Sequence, residues 1–247
     1  MVPAAAPLPD RSPLRGWRRL LAPHCAVCHG DGAGAAATGI APLCAGCRAD
    51  FFAADVPRCS RCALRLPGAH PLCGRCLREP PSYDATLALA DYRPPVDGLV
   101  VALKFGHRLE LADLFGALLA ERLRELDPGT LLVPVPLAHE RQAERGFNQA
   151  EQVARRAARA CGLAVLPDAL LRTRHGPPQE GLDAAARRRN VRQAFAVNRR
   201  HAARLAGAQL AVVDDVMTSG ATLEAVASAL KQAGAARVTN VIVARTP

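Results

Sequence analysis

Leu210-Ala211-Val212-Val213-Asp214-Asp215-Val216-Met217-Thr218-Ser219-Gly220-Ala221-Thr222 is the stretch whose reading decides the fold. Gln209 to Val213 is a short apolar run of the kind that a strand buried on both faces requires. It delivers two adjacent carboxylates to its C-terminal end, the edge at which open α/β sheets bind ligands. A loop of small residues then opens a helix, Ala221 to Ala233, which Gly234 stops. Amide hydrogens at that helix N-terminus, with the hydroxyls of Thr218, Ser219 and Thr222, suit a phosphate, and Gly220 lets the backbone come close to it. Asp214 and Asp215 suit the vicinal hydroxyls of a sugar. Loop and acidic pair together describe a ribose 5-phosphate group. The plainer alternative is an aspartate pair capping a helix beside an ordinary nucleotide fold.

Working outward, Val238 to Val243 reads as the next strand. Upstream, Ala85 to Asp91 is a strand, followed by a helix in which Val96, Leu99, Val100 and Leu103 share one face. That helix ends at Lys104-Phe105-Gly106. Leu109 to Leu126 is a second helical pattern, closed by Asp127-Pro128-Gly129, and Thr130 to Val135 is a compact apolar run suited to a buried strand. A basic helix follows from about Glu140 to Ala160. Weaker strand signals lie near Ala164 and at Phe195 to Val197, separated by an arginine-rich segment from Arg172 to Arg192. Alternating strands and helices imply an α/β fold with a mainly parallel sheet covered on both faces.

Eight of the nine cysteines fall in four Cys-x-x-Cys pairs: Cys25 and Cys28, Cys44 and Cys47, Cys59 and Cys62, Cys73 and Cys76. Each such turn aims two thiolates at one ion, and two turns complete a tetrahedral site, so the set suits two structural zinc ions. Pairing the turns in sequence closes short loops, and an interleaved pairing is the alternative. All four positions of each site would be filled by thiolate, leaving none open for catalytic water. Cys161 remains, as a small apolar core residue. From Cys25 to Cys76 there is little continuous apolar pattern, and metal would supply the staple that a hydrophobic core does not.

Half of the 247 residues are hydrophobic, enough for one large domain and one small one. The division expected is a disordered leader at 1–22, a double zinc ribbon at 23–79 and an α/β domain at 82–247, with Pro80 and Pro81 marking the boundary. The apolar stretch from Val2 to Leu8 is broken by Pro3 and Pro7, unlike a secretory signal, and charged residues or prolines interrupt every apolar run before it reaches membrane-spanning length. A cytoplasmic protein is expected. The formal charge of +10 points to phosphate or nucleic acid, while aromatic residues, at 4%, are too few for a broad base-stacking platform.

The Leu210 to Thr222 stretch resembles the phosphoribosyl pyrophosphate motif of type I phosphoribosyltransferases. By that resemblance Asp214 and Asp215 contact the ribose hydroxyls, Thr218, Ser219, Gly220, Ala221 and Thr222 hold the 5-phosphate, and magnesium sits on ligand oxygens. Lys104 either meets the pyrophosphate or is a solvated helix end. Pro134-Val135-Pro136 to Arg141, with Arg145-Gly146-Phe147-Asn148-Gln149 after it, is similar to the signature of the ComF family of competence proteins. The order of parts is similar too: cysteine pairs, a Leu-Lys-Phe turn, this signature, Gln179 to Leu182 with Arg188 and Asn190, then the phosphoribosyl loop. Membership implies a double zinc ribbon ahead of a phosphoribosyltransferase domain, and a link to natural transformation or to the use of external DNA. Two functions suit these parts: a magnesium-dependent transfer of phosphoribose from phosphoribosyl pyrophosphate, or, as the alternative, a non-catalytic module that grips single-stranded DNA during uptake and handover to recombination proteins. Arg141 and Arg145 could hold phosphate or carboxylate, and Asn148 and Gln149 could read a base, the alternative being a basic helix face with Asn148 as a local cap. Arg187, Arg188, Arg189 and Arg192 stand where a hood over the site is expected, as contacts to nucleic acid or pyrophosphate or simply as a solvated face.

Overall fold

A computed structural model describes residues 24–30, 43–68, 70–173 and 194–247. The expected leader and the Gln179 to Arg192 stretch, Arg187, Arg188 and Arg189 included, lie outside the described residues.

Five parallel strands form the main sheet: β1 (Ala85–Asp91), β2 (Leu131–Pro134), β3 (Ala164–Val165), β6 (Gln209–Met217) and β7 (Arg237–Arg245). Their spatial order is β1-β7-β6-β2-β3. A separate antiparallel pair joins β4 (Leu170–Arg172) to β5 (Phe195–Val197). In β6 the pleat sends Ala211 and Val213 to one face and Leu210 and Val212 to the other, and all four are buried. This is why the run reads as continuously apolar and not as an alternation.

On the Ala211 face lie α3 (Val96–Phe105), α4 (Glu110–Leu123) and α6 (Gln149–Cys161), packing Val100, Leu103, Phe115, Val153 and Ala157 against the strands. Helices α4 and α6 meet at Gly116, where an added Cβ would lie 2.6 Å from the Arg156 Cβ. The opposite face carries α8 (Ala221–Gln232), through Leu223, Val226 and Leu230, together with Leu170 and Phe195 of the small sheet. Cys161 is half-buried at the end of α6, packed against the core.

Two differences from the sequence expectation bear on the site. The basic helix is two helices, α5 (His139–Arg145) and α6, because Gly146 closes the first in the left-handed region at φ 75°. Asn148 then opens the second, its Oδ1 accepting from the amides of Ala150 at 3.0 Å and Glu151 at 3.4 Å. Strand β6 also runs past the acidic pair to Met217, since β7 continues to pair with it there. The acids therefore stand inside the last residues of the strand, not after it.

The cysteine-rich region contains α1 (Ala45–Phe52) and α2 (Gly74–Arg78), and a four-residue helix, α7 (Ala202–Leu205), precedes β6. The cysteine-rich chain is fastened to the C-terminal edge of the sheet. Arg58, Arg65 and Arg93 converge on the buried Asp91 carboxylate at the end of β1, at 2.7, 3.0 and 3.4 Å. Among the described residues no helix is long and apolar enough to cross a membrane.

Candidate ribose-phosphate site and cysteine clusters

Strand β6 continues through α8 to β7 on one side, and β2 continues through α5 and α6 to β3 on the other. The sheet thus has its switch point between β2 and β6, where connections leave in opposite directions and open a crevice for ligands. Asp214 and Asp215 emerge there.

Their surroundings are unequal. Asp215 is buried, and both of its oxygens are engaged: Lys104 Nζ, from the last turn of α3, lies 2.9 Å from Oδ1, and Gln149 Nε2, from the first turn of α6, donates to Oδ2 at 2.6 Å. Arg145 Nη1 in turn donates to Gln149 Oε1 at 3.2 Å, and its guanidinium stacks 4.6 Å from the centroid of the Phe105 ring. Asp214 is only half-buried, and its Oδ1 accepts the Asp215 amide at 2.9 Å. Burial and the neighbouring Asp215 charge push the Asp214 carboxyl up to about 8, against the pull of the Asp215 amide, Lys104 and Arg172. Among the described residues the pair therefore divides into one carboxylate locked by a cation and an amide, and one that accepts only the Asp215 amide.

After Met217 the loop rises on three restrained carbonyls. Arg245, buried at the end of β7, donates through Nη1 to the Met217 carbonyl at 3.0 Å and the Thr218 carbonyl at 2.7 Å, and Arg75 donates to that of Ser219 through both terminal nitrogens at 3.2 Å. A trans peptide sets its N–H opposite to its C=O, so the amides of Thr218, Ser219 and Gly220 face away from these guanidiniums. Among the described residues none of the three donates to a protein acceptor. Gly220 has φ +82°, and a Cβ there would lie 2.6 Å from Met217 Cε, so the turn into α8 requires glycine. Thr218, Ser219, Ala221 and Thr222 are exposed around it.

Lys104, Gln149, Arg145 and the acidic pair are thus gathered at the crevice. The two amides expected to read a base are engaged inside the protein: Asn148 caps α6 and donates to the Val135 carbonyl at 2.9 Å, and Gln149 serves Asp215. Arg141 stands exposed on α5, while Arg188 lies outside the described residues. Arg172, Arg75 and Arg245 were not singled out by sequence. Arg172 feels both Asp214 and Arg141, and partial loss of water around its guanidinium together with the Arg141 charge lowers its pKa, although the residue as a whole is exposed.

The cysteines form two groups, Cys25, Cys28, Cys44 and Cys47, and Cys59, Cys62, Cys73 and Cys76, so the pairing is sequential. Within each, the four Sγ atoms lie within 4.8 Å of one another. A tetrahedral ion bound at about 2.3 Å sets sulfur separations near about 3.8 Å. Cys28 and Cys44 are 3.8 Å apart, and Cys62 and Cys73 are 3.7 Å apart. Burial alone would raise the Cys25 thiol, but the amides of Cys44, Cys28 and Val27 outweigh it and bring the pKa down to about 6. Cys59 comes down to about 7 in the same way, through the amides of Cys62, Cys73 and Arg61. Burial and the neighbouring sulfurs hold Cys47 and Cys76 well above the usual thiol range. Geometry and donor set both fit a metal ion, whose charge would relieve the crowding of four thiolates.

A family model described as the phosphoribosyl transferase domain matches residues 142–247. DNA utilization protein YhgH of Escherichia coli (strain K12) is 35% identical over 190 residues, 74% of this chain and 82% of the relative. Competence protein F of Haemophilus influenzae is 32% identical over 200 residues, 78% of this chain and 85% of the relative. The chain belongs to the ComF family. In this ComF-family chain the transferase match begins in α5 and takes in the acidic pair, the loop and α8, while the relatives' alignments span about three quarters of the chain. Among solved structures, a glutamine phosphoribosylpyrophosphate amidotransferase from B. subtilis aligns with 58% of this chain and 30% of its own length at 18% identity and a TM-score of 0.40.

Proposed function

We propose that this ComF-family protein binds phosphoribosyl pyrophosphate with magnesium at the β2/β6 crevice, in the service of DNA use. The observation that carries the reading is the combination at one switch point of an acidic pair in which, among the described residues, only Asp215 is saturated, and of three successive loop amides without protein acceptors among those residues. The Asp214 carboxylate would accept from the ribose hydroxyls, and those donors would draw off its proton near neutral pH. Thr218, Ser219, Gly220, Ala221 and Thr222 would wrap the 5-phosphate, assisted by the N-terminus of α8. Lys104 would stand between Asp215 and the pyrophosphate. Magnesium, when bound, would neutralise the pyrophosphate oxygens, with few protein ligands. In a transfer reaction the protein would stabilise the charge that develops at the anomeric carbon and on the departing pyrophosphate, without a nucleophile of its own.

Zinc is the metal proposed for both cysteine clusters, each structural. The leader at 1–22, the double ribbon at 23–79 and the transferase-like unit at 82–247 are the proposed parts, and the cytoplasm the proposed compartment. The alternative reading is a non-catalytic module that binds single-stranded DNA, and the relatives' names, DNA utilization protein and competence protein F, support a role connected with DNA. The exposed Arg141 beside Arg172 favours it from this chain's side, since both offer a rim of positive charge next to the crevice.

The test is calorimetric titration of the zinc-loaded protein with phosphoribosyl pyrophosphate and magnesium, with single-stranded DNA in a parallel cell. Saturable, magnesium-dependent binding is expected, with heats that vary with buffer as Asp214 releases its proton. Binding of DNA alone would replace the phosphoribosyl reading by the DNA-binding one.

A further inference from the structure

In Cys59-Ser60-Arg61-Cys62 and Cys73-Gly74-Arg75-Cys76 the third position is arginine, whereas Cys25-Ala26-Val27-Cys28 and Cys44-Ala45-Gly46-Cys47 have none. Both arginines of the second cluster reach out of it. Arg61 Nη1 donates to the Tyr83 carbonyl at 3.0 Å, and Arg75 grips the Ser219 carbonyl, 144 residues away in sequence. Around them the second cluster's four cysteines share one buried group with Tyr83, Met217 and Leu223, the residues beneath the loop and the start of α8. Arg245 completes the join, donating through Nε to the Cys62 carbonyl at 3.0 Å while its Nη1 holds the loop. Ser82 adds a further tie, its amide and hydroxyl donating to Glu224 in the first turn of α8 at 2.9 and 2.6 Å.

Helix α2, which carries Arg75, has only five residues and would not hold its shape alone. Its frame is set by Cys73 at its N-cap and Cys76 within it, so Arg75 stands where the cluster puts it.

We propose that Arg75 is a positioning residue for the phosphate loop, and that through it metal occupancy of the second cysteine cluster is coupled to ribose 5-phosphate binding. By pinning the Ser219 carbonyl outward, Arg75 turns the Gly220 amide toward the ligand, so the loop is organised before the phosphate arrives. This rests on the phosphoribosyl reading of the loop. Linkage makes the coupling reciprocal: the bound ligand should slow metal loss from the second cluster and leave the first unaffected.

The experiment compares the full-length zinc-loaded protein with Arg75→Ala, Arg75→Lys and Arg78→Ala, the last removing the same charge from the same helix without a bond to the loop. Two quantities are read: backbone amide order parameters at Ser219 and Gly220 without ligand, and the Kd for phosphoribosyl pyrophosphate with magnesium. For Arg75→Ala the order parameters should fall from the rigid level of about 0.85 toward about 0.6. Its Kd should rise about three- to tenfold with zinc content unchanged, a modest factor because the contact is exposed. Arg75→Lys should recover part of both, and Arg78→Ala should match the unaltered protein. Unchanged order parameters in Arg75→Ala, or an equal loss in Arg78→Ala, would overturn the proposal. Absence of binding by the unaltered protein would instead overturn the phosphoribosyl reading beneath it, while the order parameters would still decide whether Arg75 fixes the loop.

Discussion

The two cysteine clusters have the same ligand set and the same kind of spacing, yet they sit in different parts of the molecule's chemistry. In the first, Cys28 is exposed and Cys44 half-buried, and the residues between the cysteines are small or apolar. Its neighbour α1 meets α4 through Phe52, Leu118 and a surface ion pair of Arg48 with Glu121. In the second all four cysteines are buried, and arginines between and beside them hold the edge of the proposed ribose-phosphate site. What separates the two is the residues that the cysteine frame carries, not the frame itself.

The comparison would break most visibly under loss of ligands. Changing Cys73 and Cys76 together to Ser should remove one metal equivalent and, because structural zinc contributes about 10 kcal/mol or more where it organises a fold, destroy the cooperative thermal transition along with ligand binding. The same change at Cys25 and Cys28 should also remove one equivalent but leave a cooperative transition and a Kd within about threefold of the original. Metal stoichiometry, circular dichroism melting and calorimetry read all three, and equal damage from both double variants would erase the distinction.

Charge sharpens it next, at the site the second cluster adjoins. Asp214 has a folded pKa raised to about 8 from an ordinary carboxylate value of 3.8, so the free folded protein holds a proton that the unfolded chain has lost between those values. Stability contributed there is full at low pH and is lost as pH rises through 8. Asp214→Asn should therefore melt several degrees higher than the unaltered protein at pH 9, with the gap closing toward pH 4, while binding phosphoribosyl pyrophosphate less well. A melting difference independent of pH would contradict this account of the pair.

Much of this was legible in advance where a local pattern carries the information. The apolar run into Asp214 and Asp215, and the small-residue entry to α8, announce the strand, the loop and the helix because a strand buried on both faces and a tight loop into a helix each need contiguous residues of one kind. Spacing likewise pointed to two four-cysteine clusters, with sequential pairing as the simpler of two arrangements, and the structure groups them in sequence. The break at Gly146 and Asn148 was missed because basic and apolar residues keep a helical period across it, and only the left-handed glycine and the capping asparagine interrupt the backbone. The inequality of Asp214 and Asp215 was also hidden, since it depends on Lys104 and Gln149 arriving from two other helices. No local signal marks Arg75, whose partner is remote in the chain.

The smallest expected effect belongs to the first cluster's outer contact. Arg48 and Glu121 pair with side chains 50% and 45% exposed, so Arg48→Ala should change stability by less than about 1 kcal/mol and leave ligand affinity untouched. Thermal melting and calorimetry on that variant check both.

The central claim, a ribose 5-phosphate site formed by the acidic pair and the loop braced by the second cluster, is tested most directly by titrating isotope-labelled, zinc-loaded protein with ribose 5-phosphate and following backbone amide resonances. The account predicts saturable shifts at Thr218 to Thr222 and at Asp214 and Asp215, abolished when both aspartates are changed to alanine. Shifts confined to the exposed arginines, or unchanged in the double variant, would contradict it.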